Sequence, residues 1–268
     1  GREEGEEIAS IINSLITTQS IASEHAVLYR TNSQSKVLED ALRKRGINYK
    51  IFGGLSFYQR KEIKDVLAYL KLIINQSDNE SLIRIINYPT RGIGNSTIDK
   101  IRHKAEVETK SIWSIINSDE LQNIPISSNG KNNILSFVNM LNNLISKQDD
   151  NIFEIVEKLI HLTGIIRRLE DDPTPENISR IENISELVNT MKIFSTRNNN
   201  NKLTNFINEI SLDESKEEIK NQSYVSLMTI HQSKGLEFPY IYIVGLENGL
   251  FPSQQSTQHK TLLEEERR

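Results

Sequence analysis

The sequence predicts an α/β chain whose parallel sheet is interrupted by a large all-helical insertion. Three observations carry that expectation. A strand, a helix and a second strand succeed one another between residues 25 and 52. Two further β-branched and aromatic runs stand near the other end, at residues 225–230 and 240–245. Between them, from Arg60 to Leu212, apolar residues recur at helical spacing with no convincing strand alternation. One α/β domain split around a helical domain is the simplest arrangement that gives each piece a core.

Taken in order, residues 6–18 set Ile8, Ala9, Ile11, Ile12, Leu15 and Ile16 on one side of a packing helix. Residues 25–30 read as a buried strand. Thr31, Asn32 and Ser33 offer capping oxygens to a helix over about 34–45, with Val37, Leu38, Ala41 and Leu42 as its apolar face. Gly46 stands where a left-handed C-terminal cap belongs. Residues 49–52 make the next strand, completing a parallel, right-handed β-α-β unit. Gly53-Gly54 then tolerates backbone angles other residues avoid, suiting a tight turn or a hinge. The helical block follows, with rows such as Ile63, Val66, Leu67, Leu70, Ile73 and Ile74. The expected domains are a packing helix at 1–24, an α/β domain from 25–53 and 222–268, and a helical insertion at 54–221. Polar breaks at 171–175, 198–201 and 213–221 read as surface connections.

Composition narrows the function classes. With 37% hydrophobic and 25% charged residues the chain reads as soluble and globular. No apolar run approaches the roughly 18 residues of a membrane span. The acidic start lacks a signal peptide's apolar core, so a cytoplasmic location and no membrane partner are expected. The absence of Cys excludes disulfides, thiolate metal sites and a Cys nucleophile, and the five His show no ligand spacing. No metal held by this chain alone is expected. A net charge of -4 argues against a surface coated with phosphate-binding groups, so patches must be read locally.

Four stretches carry candidate chemistry. In the insertion, Asn87-Tyr-Pro-Thr-Arg-Gly-Ile-Gly94 joins two helices, with Asn95 and Ser96 as caps for the second. A Gly-x-Gly loop entering a helix exposes backbone N–H groups to a phosphate. Arg84, Arg91, Lys100, Arg102 and Lys104 face only Asp99 there, a basic island suited to duplex backbone. A plain helical connection is the alternative. Near the end, His231-Gln-Ser-Lys-Gly-Leu-Glu-Phe-Pro239 lies between two strands, where loops present binding groups on a fixed scaffold. No G-x-x-x-x-G-K-[ST] occurs, so the chain cannot cradle a triphosphate by itself. His231 reads as a satisfied loop histidine or a ligand contact, Lys234 as a solvated turn residue or a phosphate neighbour, and Glu237 as a ribose acceptor or a solvated acid. Arg30 and Asn32 at a strand end suit a nucleic-acid backbone, or core packing with a surface ion pair. Phe57 and Tyr58 could stack on bases or pack at the domain junction.

The order of the pieces adds a resemblance covering nearly the whole chain. Val27-Leu-Tyr-Arg-Thr-Asn-Ser-Gln-Ser35; Gly53-Gly-Leu-Ser-Phe-Tyr with Lys61-Glu-Ile-Lys-Asp65 and Leu67-Ala-Tyr-Leu70; Arg84-Ile-Ile-Asn with Pro89-Thr-Arg-Gly-Ile-Gly94; Leu227-Met-Thr-Ile-His with Lys234-Gly-Leu-Glu-Phe-Pro239; Gly249-Leu-Phe-Pro252; and Glu264-Glu-Glu-Arg-Arg268 resemble, in this order, the C-terminal half of UvrD/PcrA/Rep-type superfamily 1 DNA helicases. The resemblance implies most of a second RecA-like motor domain, incomplete here, with its helical insertion. ATP would lie in a cleft shared with a first motor domain, and single-stranded DNA would cross the top in 3′ to 5′ translocation. By the same resemblance Arg30, Asn32, Thr229 and His231 contact the strand. Glu237 holds the ATP ribose, and Lys234 and Gly235 shape the loop joining the two sites. Arg91, Gly92, Ile93 and Gly94 meet duplex DNA, and Gly53 and Gly54 form the swivel.

There are departures: Ser56 and Ser253 stand where some relatives carry Lys and His, weakening two DNA contacts. The Walker A loop, the Walker B acids, the adenine-stacking Tyr and an arginine-bearing Thr-Arg-Ala segment are not in these residues. Arginine fingers alone are worth on the order of 10³ to 10⁵ in rate. The chain by itself is therefore expected neither to hydrolyse ATP nor to unwind DNA, with ATP and Mg²⁺ bound only in the full-length protein and the metal held by its N-terminal half. The expected partners are single-stranded DNA, a duplex junction, the first motor domain and repair proteins. The alternatives are a non-enzymatic DNA- or protein-binding module of this fold, or the helicase part of a helicase-nuclease.

Overall fold

The computed structural model describes residues 2–197, 202–214, 223–247, 251–252 and 264. Gly249, Leu250, Ser253 and the run at 265–268 lie outside the described residues, as does the asparagine run. The chain forms two compact units, Gly1–Arg60 with Glu218–Arg268, and Lys61–Glu217.

In the first unit, helix α1 (Arg2–Thr18) precedes strand β1 (His25–Tyr29), helix α2 (Ser35–Lys44), β2 (Tyr49–Ile51), β3 (Val225–Thr229) and β4 (Tyr240–Ile243). The sheet order is β2-β3-β1-β4 and every pairing is parallel. The two strands separated in sequence by the helical block are thus neighbours: β3 fills the place between β1 and β2. Side chains alternate across the sheet. Val27, Tyr29, Val225 and Leu227 join Ala9 and Ile12 of α1 and Leu38, Ala41 and Leu42 of α2 in one core. Ala26, Leu28 and Met228 face the other way, with Phe52, Ile230 and Phe238 packed on them. Helix α1, expected as a packing helix ahead of the α/β domain, contributes Ala9 and Ile12 to this core. Helix α2 ends as its sequence suggests: Gly46 takes φ +68°, and the N–H groups of Gly46 and Ile47 return to Arg43 and Leu42 carbonyls at 2.9 and 3.0 Å.

The first unit runs past Gly53-Gly54 to Arg60, whereas the sequence places the boundary at Gly53. The reason is a buried polar cluster on α2. Glu39, 1% exposed, accepts the Ser35 hydroxyl at 2.7 Å and the Phe57 N–H at 3.3 Å, and Arg60 Nη2 donates to Ser35 Oγ at 2.6 Å. The Lys36 ammonium lies 5.6 and 5.0 Å from the Phe57 and Tyr58 ring centroids. Both rings are buried, so they pack and do not offer faces to bases. Burial pushes the Glu39 carboxyl up, with the Ser35 hydrogen bond and the Arg60 charge opposing it.

The second unit is helical, with no strand among its described residues: α3 (Lys61–Ile74), α4 (Asn79–Ile85), α5 (Asn95–Glu108), α6 (Ile112–Ile116), α7 (Ser128–Ile145), α8 (Ile152–Thr163), α9 (Ile165–Glu170), α10 (Pro175–Arg197) and α11 (Leu203–Glu214). Helix α3 is its axis; Ile63, Val66, Leu70 and Ile73 are fully buried, and α4, α7, α10 and α11 pack around it. Asp78, Ser111, Ser127 and Asn151 cap α4, α6, α7 and α8 through their side chains. No helix among the described residues is long and apolar enough to cross a membrane.

Candidate functional site

Because β1 and β3 are parallel neighbours with Tyr29 opposite Thr229, both leave the sheet at one edge. The same device stops each. Thr31-Asn-Ser-Gln34 and Thr229-Ile-His-Gln232 place Gln three positions after Thr, the spacing of a capping box. Gln34 Oε1 accepts from the Arg30 and Thr31 N–H groups, both at 2.9 Å. Gln232 Oε1 accepts from Thr229 N–H at 2.9 Å. Two short turns result, Asn32–Gln34 and Ile230–Ser233. They bring four predicted residues together. Asn32 and His231 are exposed, Arg30 and Thr229 half-buried, and Arg30 Nη1 lies 3.4 Å from His231 Nδ1. A guanidinium only donates, so this contact selects the tautomer in which Nδ1 accepts and Nε2–H remains as a donor. The Arg30 guanidinium also lies 6.0 Å from the Phe251 ring centroid.

The end of β2 reaches the same edge. Phe52 N–H continues the ladder to the Leu227 carbonyl at 2.9 Å, and Gly53 then turns with φ +64°. Gln232 Nε2 donates to the Gly53 carbonyl at 3.0 Å. A methyl on Gly54 would come within 4.0 Å of Asn32 Oδ1. The residues expected at a swivel therefore adjoin those expected on the strand.

Beyond this turn the chain loops outward before β4. Gly235 has φ +83° with open space where a side chain would be, and Leu236 N–H bonds the Ser233 carbonyl at 2.9 Å. Phe238 fastens the far end on Ala26, Leu28 and Met228. Lys234, Gly235 and Glu237 are thus exposed on a short loop pinned at both ends.

The 87–94 loop of the helical unit is built differently. Arg91, expected against duplex DNA, turns its guanidinium inward: Nη1 donates to the Ile85 and Pro89 carbonyls at 3.0 and 3.1 Å, and Nη2 to Tyr69 Oη at 2.5 Å. It lies 5.2 Å from the Phe137 ring centroid. Burial pushes the Tyr69 phenol up to about 12, against the pull of Arg91. Ile93 is 0% exposed and anchors the loop. Asn87 Oδ1 accepts from Arg91 and Ile93 N–H at 2.8 and 3.1 Å, fixing its shape. Gly92 and Gly94 remain exposed, and Gly94 takes the N-cap position of α5 where Asn95 or Ser96 was expected. The basic island is also largely committed: Arg84 meets Asp65 at 2.7 Å, Lys100 the Pro125 carbonyl at 2.8 Å, Arg102 Asp99 at 3.3 Å, and Lys104 Glu108.

Two strand ends thus present Arg-x-Asn and Thr-x-His side by side, a Lys-Gly-x-Glu loop follows the second, and a helical unit lies between them in sequence. The description UvrD-like helicase C-terminal domain matches residues 1–268. This chain belongs to that family. An ATP-dependent DNA helicase PcrA from Bacillus subtilis is 38% identical over 99% of the chain and 37% of its own length. A PcrA from Staphylococcus epidermidis is 40% identical over 92% of the chain and 34% of its own length. A DNA helicase II from Haemophilus influenzae is 36% identical over 99% and 37%. The chain spans a little over a third of these relatives.

For a UvrD-like domain the residues present fit one end of a nucleotide. The exposed Glu237 carboxylate can accept from ribose hydroxyls, and the open Gly235 backbone lets a ligand approach, but nothing in the sequence forms a phosphate loop. Among the described residues no His, Asp and Glu side chains group as metal ligands. Sequence reasoning missed Gln34 and Gln232, although the Thr-x-x-Gln spacing was there to be read.

Proposed function

We propose that the chain is the second motor domain and helical insertion of an ATP-dependent DNA helicase that moves 3′ to 5′ along single-stranded DNA. The observation that carries this reading is the convergence of Arg30, Asn32, Thr229 and His231 on one sheet edge. Arg30 supplies a fixed positive charge, and the exposed Nε2–H of His231 and the Asn32 amide supply donors for successive phosphates. Glu237 holds the ATP ribose, with Lys234 and Gly235 carrying movement between nucleotide and strand. ATP, with Mg²⁺ held by the first motor domain, supplies the free energy. The backbone N–H groups of Gly92 and Gly94 receive duplex phosphates, with Arg91 and Ile93 shaping the loop from behind. Gly53 and Gly54 serve the swivel of the helical unit. The full-length protein acts in DNA repair or replication in the cytoplasm, with repair proteins as partners. The 268 residues alone hydrolyse no ATP, because they contain no phosphate loop.

Binding of the chain to a duplex with a 3′ single-stranded tail, titrated against salt, tests this reading. Arg30→Ala is expected to weaken tail binding about tenfold and lower the salt slope by about one. Robust DNA-stimulated ATPase activity in the pure chain, or tail binding indifferent to Arg30 and His231, would overturn it.

A further inference from the structure

We infer that Gln232 is a positioning residue that joins the Gly53 turn to the His231 turn, so that the end of β2 and the strand-facing end of β3 move as one piece. The inference rests on the reading that His231 faces DNA, and adds a residue to which that reading gives no part.

The geometry is specific. Gln232 uses both ends of its amide: Oε1 accepts from Thr229 N–H at 2.9 Å, and Nε2 donates to the Gly53 carbonyl at 3.0 Å. Its counterpart Gln34 spends Oε1 on two N–H groups of its own turn, at Arg30 and Thr31. Gly53 is shaped to receive the side chain. A Cβ there would collide with Nε2 and stand 2.7 Å from Cδ and 3.2 Å from Cγ, so the amide occupies the room that the missing side chain leaves. Gly53 also has φ +64°, which L side chains rarely adopt. Glycine is therefore required twice, for its backbone and for the seat of Gln232. A glutamine doing nothing but cap its own turn needs only the first of its two bonds. The second crosses 179 positions of sequence, to the segment that runs on towards Arg60. One residue before Gln232, His231 stands 3.4 Å from Arg30. A displacement of Gly53 would thus reach the imidazole through a single side chain held at both ends, and a DNA strand pressing on the imidazole would be felt at Gly53.

A double-mutant cycle in the full-length protein tests this. Gln232→Ala is expected to raise the single-stranded DNA concentration that half-saturates ATPase about tenfold, with kcat at saturating DNA changed less than twofold. Gly53→Ala is expected to raise it further. The pair is expected to be less impaired than Gly53→Ala alone, because removing the amide vacates the space the new methyl needs. Effects that multiply, or an unchanged half-saturation in Gln232→Ala, would overturn the inference. Amide hydrogen exchange at Thr229 reads the linkage without DNA. Both single variants should speed it about tenfold, and protection unaltered by Gly53→Ala overturns the linkage whatever the DNA results. ATPase indifferent to DNA in the wild type, or unaltered half-saturation in His231→Ala, removes the DNA reading itself and leaves the exchange experiment to decide the linkage.

Discussion

Arg30 in the sheet unit and Arg91 in the helical unit look alike in sequence, each beside small polar or glycine residues and each suited to a phosphate. Their surroundings give them opposite work. Arg30 follows a strand whose five residues are all buried, so the chain must emerge at the sheet edge and carry the arginine with it. Beside it, the parallel partner delivers Thr229 and His231 to the same edge. Arg91 lies in a helical connection whose environment comes from elsewhere: Tyr69 on α3 and Phe137 on α7 form its walls, and the carbonyls of Ile85 and Pro89 accept its hydrogen bonds. A strand end dictates what it displays, whereas a helical connection displays what packing leaves over.

The sharpest way to break this contrast is to remove each arginine and follow unfolding by Trp113, the single tryptophan, buried in the helical unit. Arg91→Ala takes the donor from the Pro89 carbonyl and the Tyr69 phenol oxygen, and one of its donors from the Ile85 carbonyl, and should cost roughly 2 to 4 kcal/mol. Arg30→Ala should cost less than about 1 kcal/mol while weakening DNA binding. Equal stability losses would erase the distinction. Within the 87–94 loop, Ile93→Ala should cost about 2 to 4 kcal/mol by opening a cavity. Gly94→Ala at the N-cap should cost well under about 1 kcal/mol and show its effect in duplex binding. The reverse ranking in urea titrations would place the isoleucine on the surface.

Smaller effects belong to the sheet. The Tyr29 hydroxyl is buried with no partner among the described residues, and burial raises its pKa. Tyr29→Phe should therefore stabilise by about 1 kcal/mol in thermal melts; a loss of that size would mean that the hydroxyl is satisfied. His25 is fully buried, bonded to Ser20 Oγ at 2.8 Å and Tyr242 Oη at 3.0 Å and stacked on Tyr240 at 4.7 Å. Burial lowers its pKa, with the Glu24 charge opposing. The unfolded chain then takes up the proton first as pH falls. The stability His25 contributes is present above about pH 6.5 and declines below it through the lower folded pKa. Melts between pH 7.5 and 5.5 should show a decline that His25→Phe flattens.

The sheet was almost wholly legible in the sequence. Residues 25–30 and 225–230 are apolar runs that form the buried central strands, 49–52 and 240–245 are β-branched and aromatic runs that form the more exposed outer ones, and Gly46 closes α2 because only a left-handed residue fits there. The convergence of Arg30, Asn32, Thr229 and His231 followed from parallel pairing. That the seven residues after Gly53 group with the sheet unit was not legible, because their attachment to α2 depends on Glu39, a charged residue at a core position, and no periodicity shows that a carboxylate is buried to receive the Phe57 N–H. The packing of Arg91 was hidden for a related reason, because Tyr69 and Phe137 lie far from it in sequence. Counting charges between 84 and 104 omits Asp65 and Glu108, which lie beyond that window and take up Arg84 and Lys104.

In the proposed division of labour the ends of β1 and β3 form one single-strand site while Arg91 serves the fold. Photocrosslinking of a uniformly substituted single-stranded oligonucleotide to the full-length protein, with the attachment residues mapped by mass spectrometry, tests it most directly. Crosslinks at Asn32, His231 or their immediate neighbours, and none at Arg91, are the predicted result. Crosslinks concentrated at Arg91 with the strand ends unlabelled would contradict it.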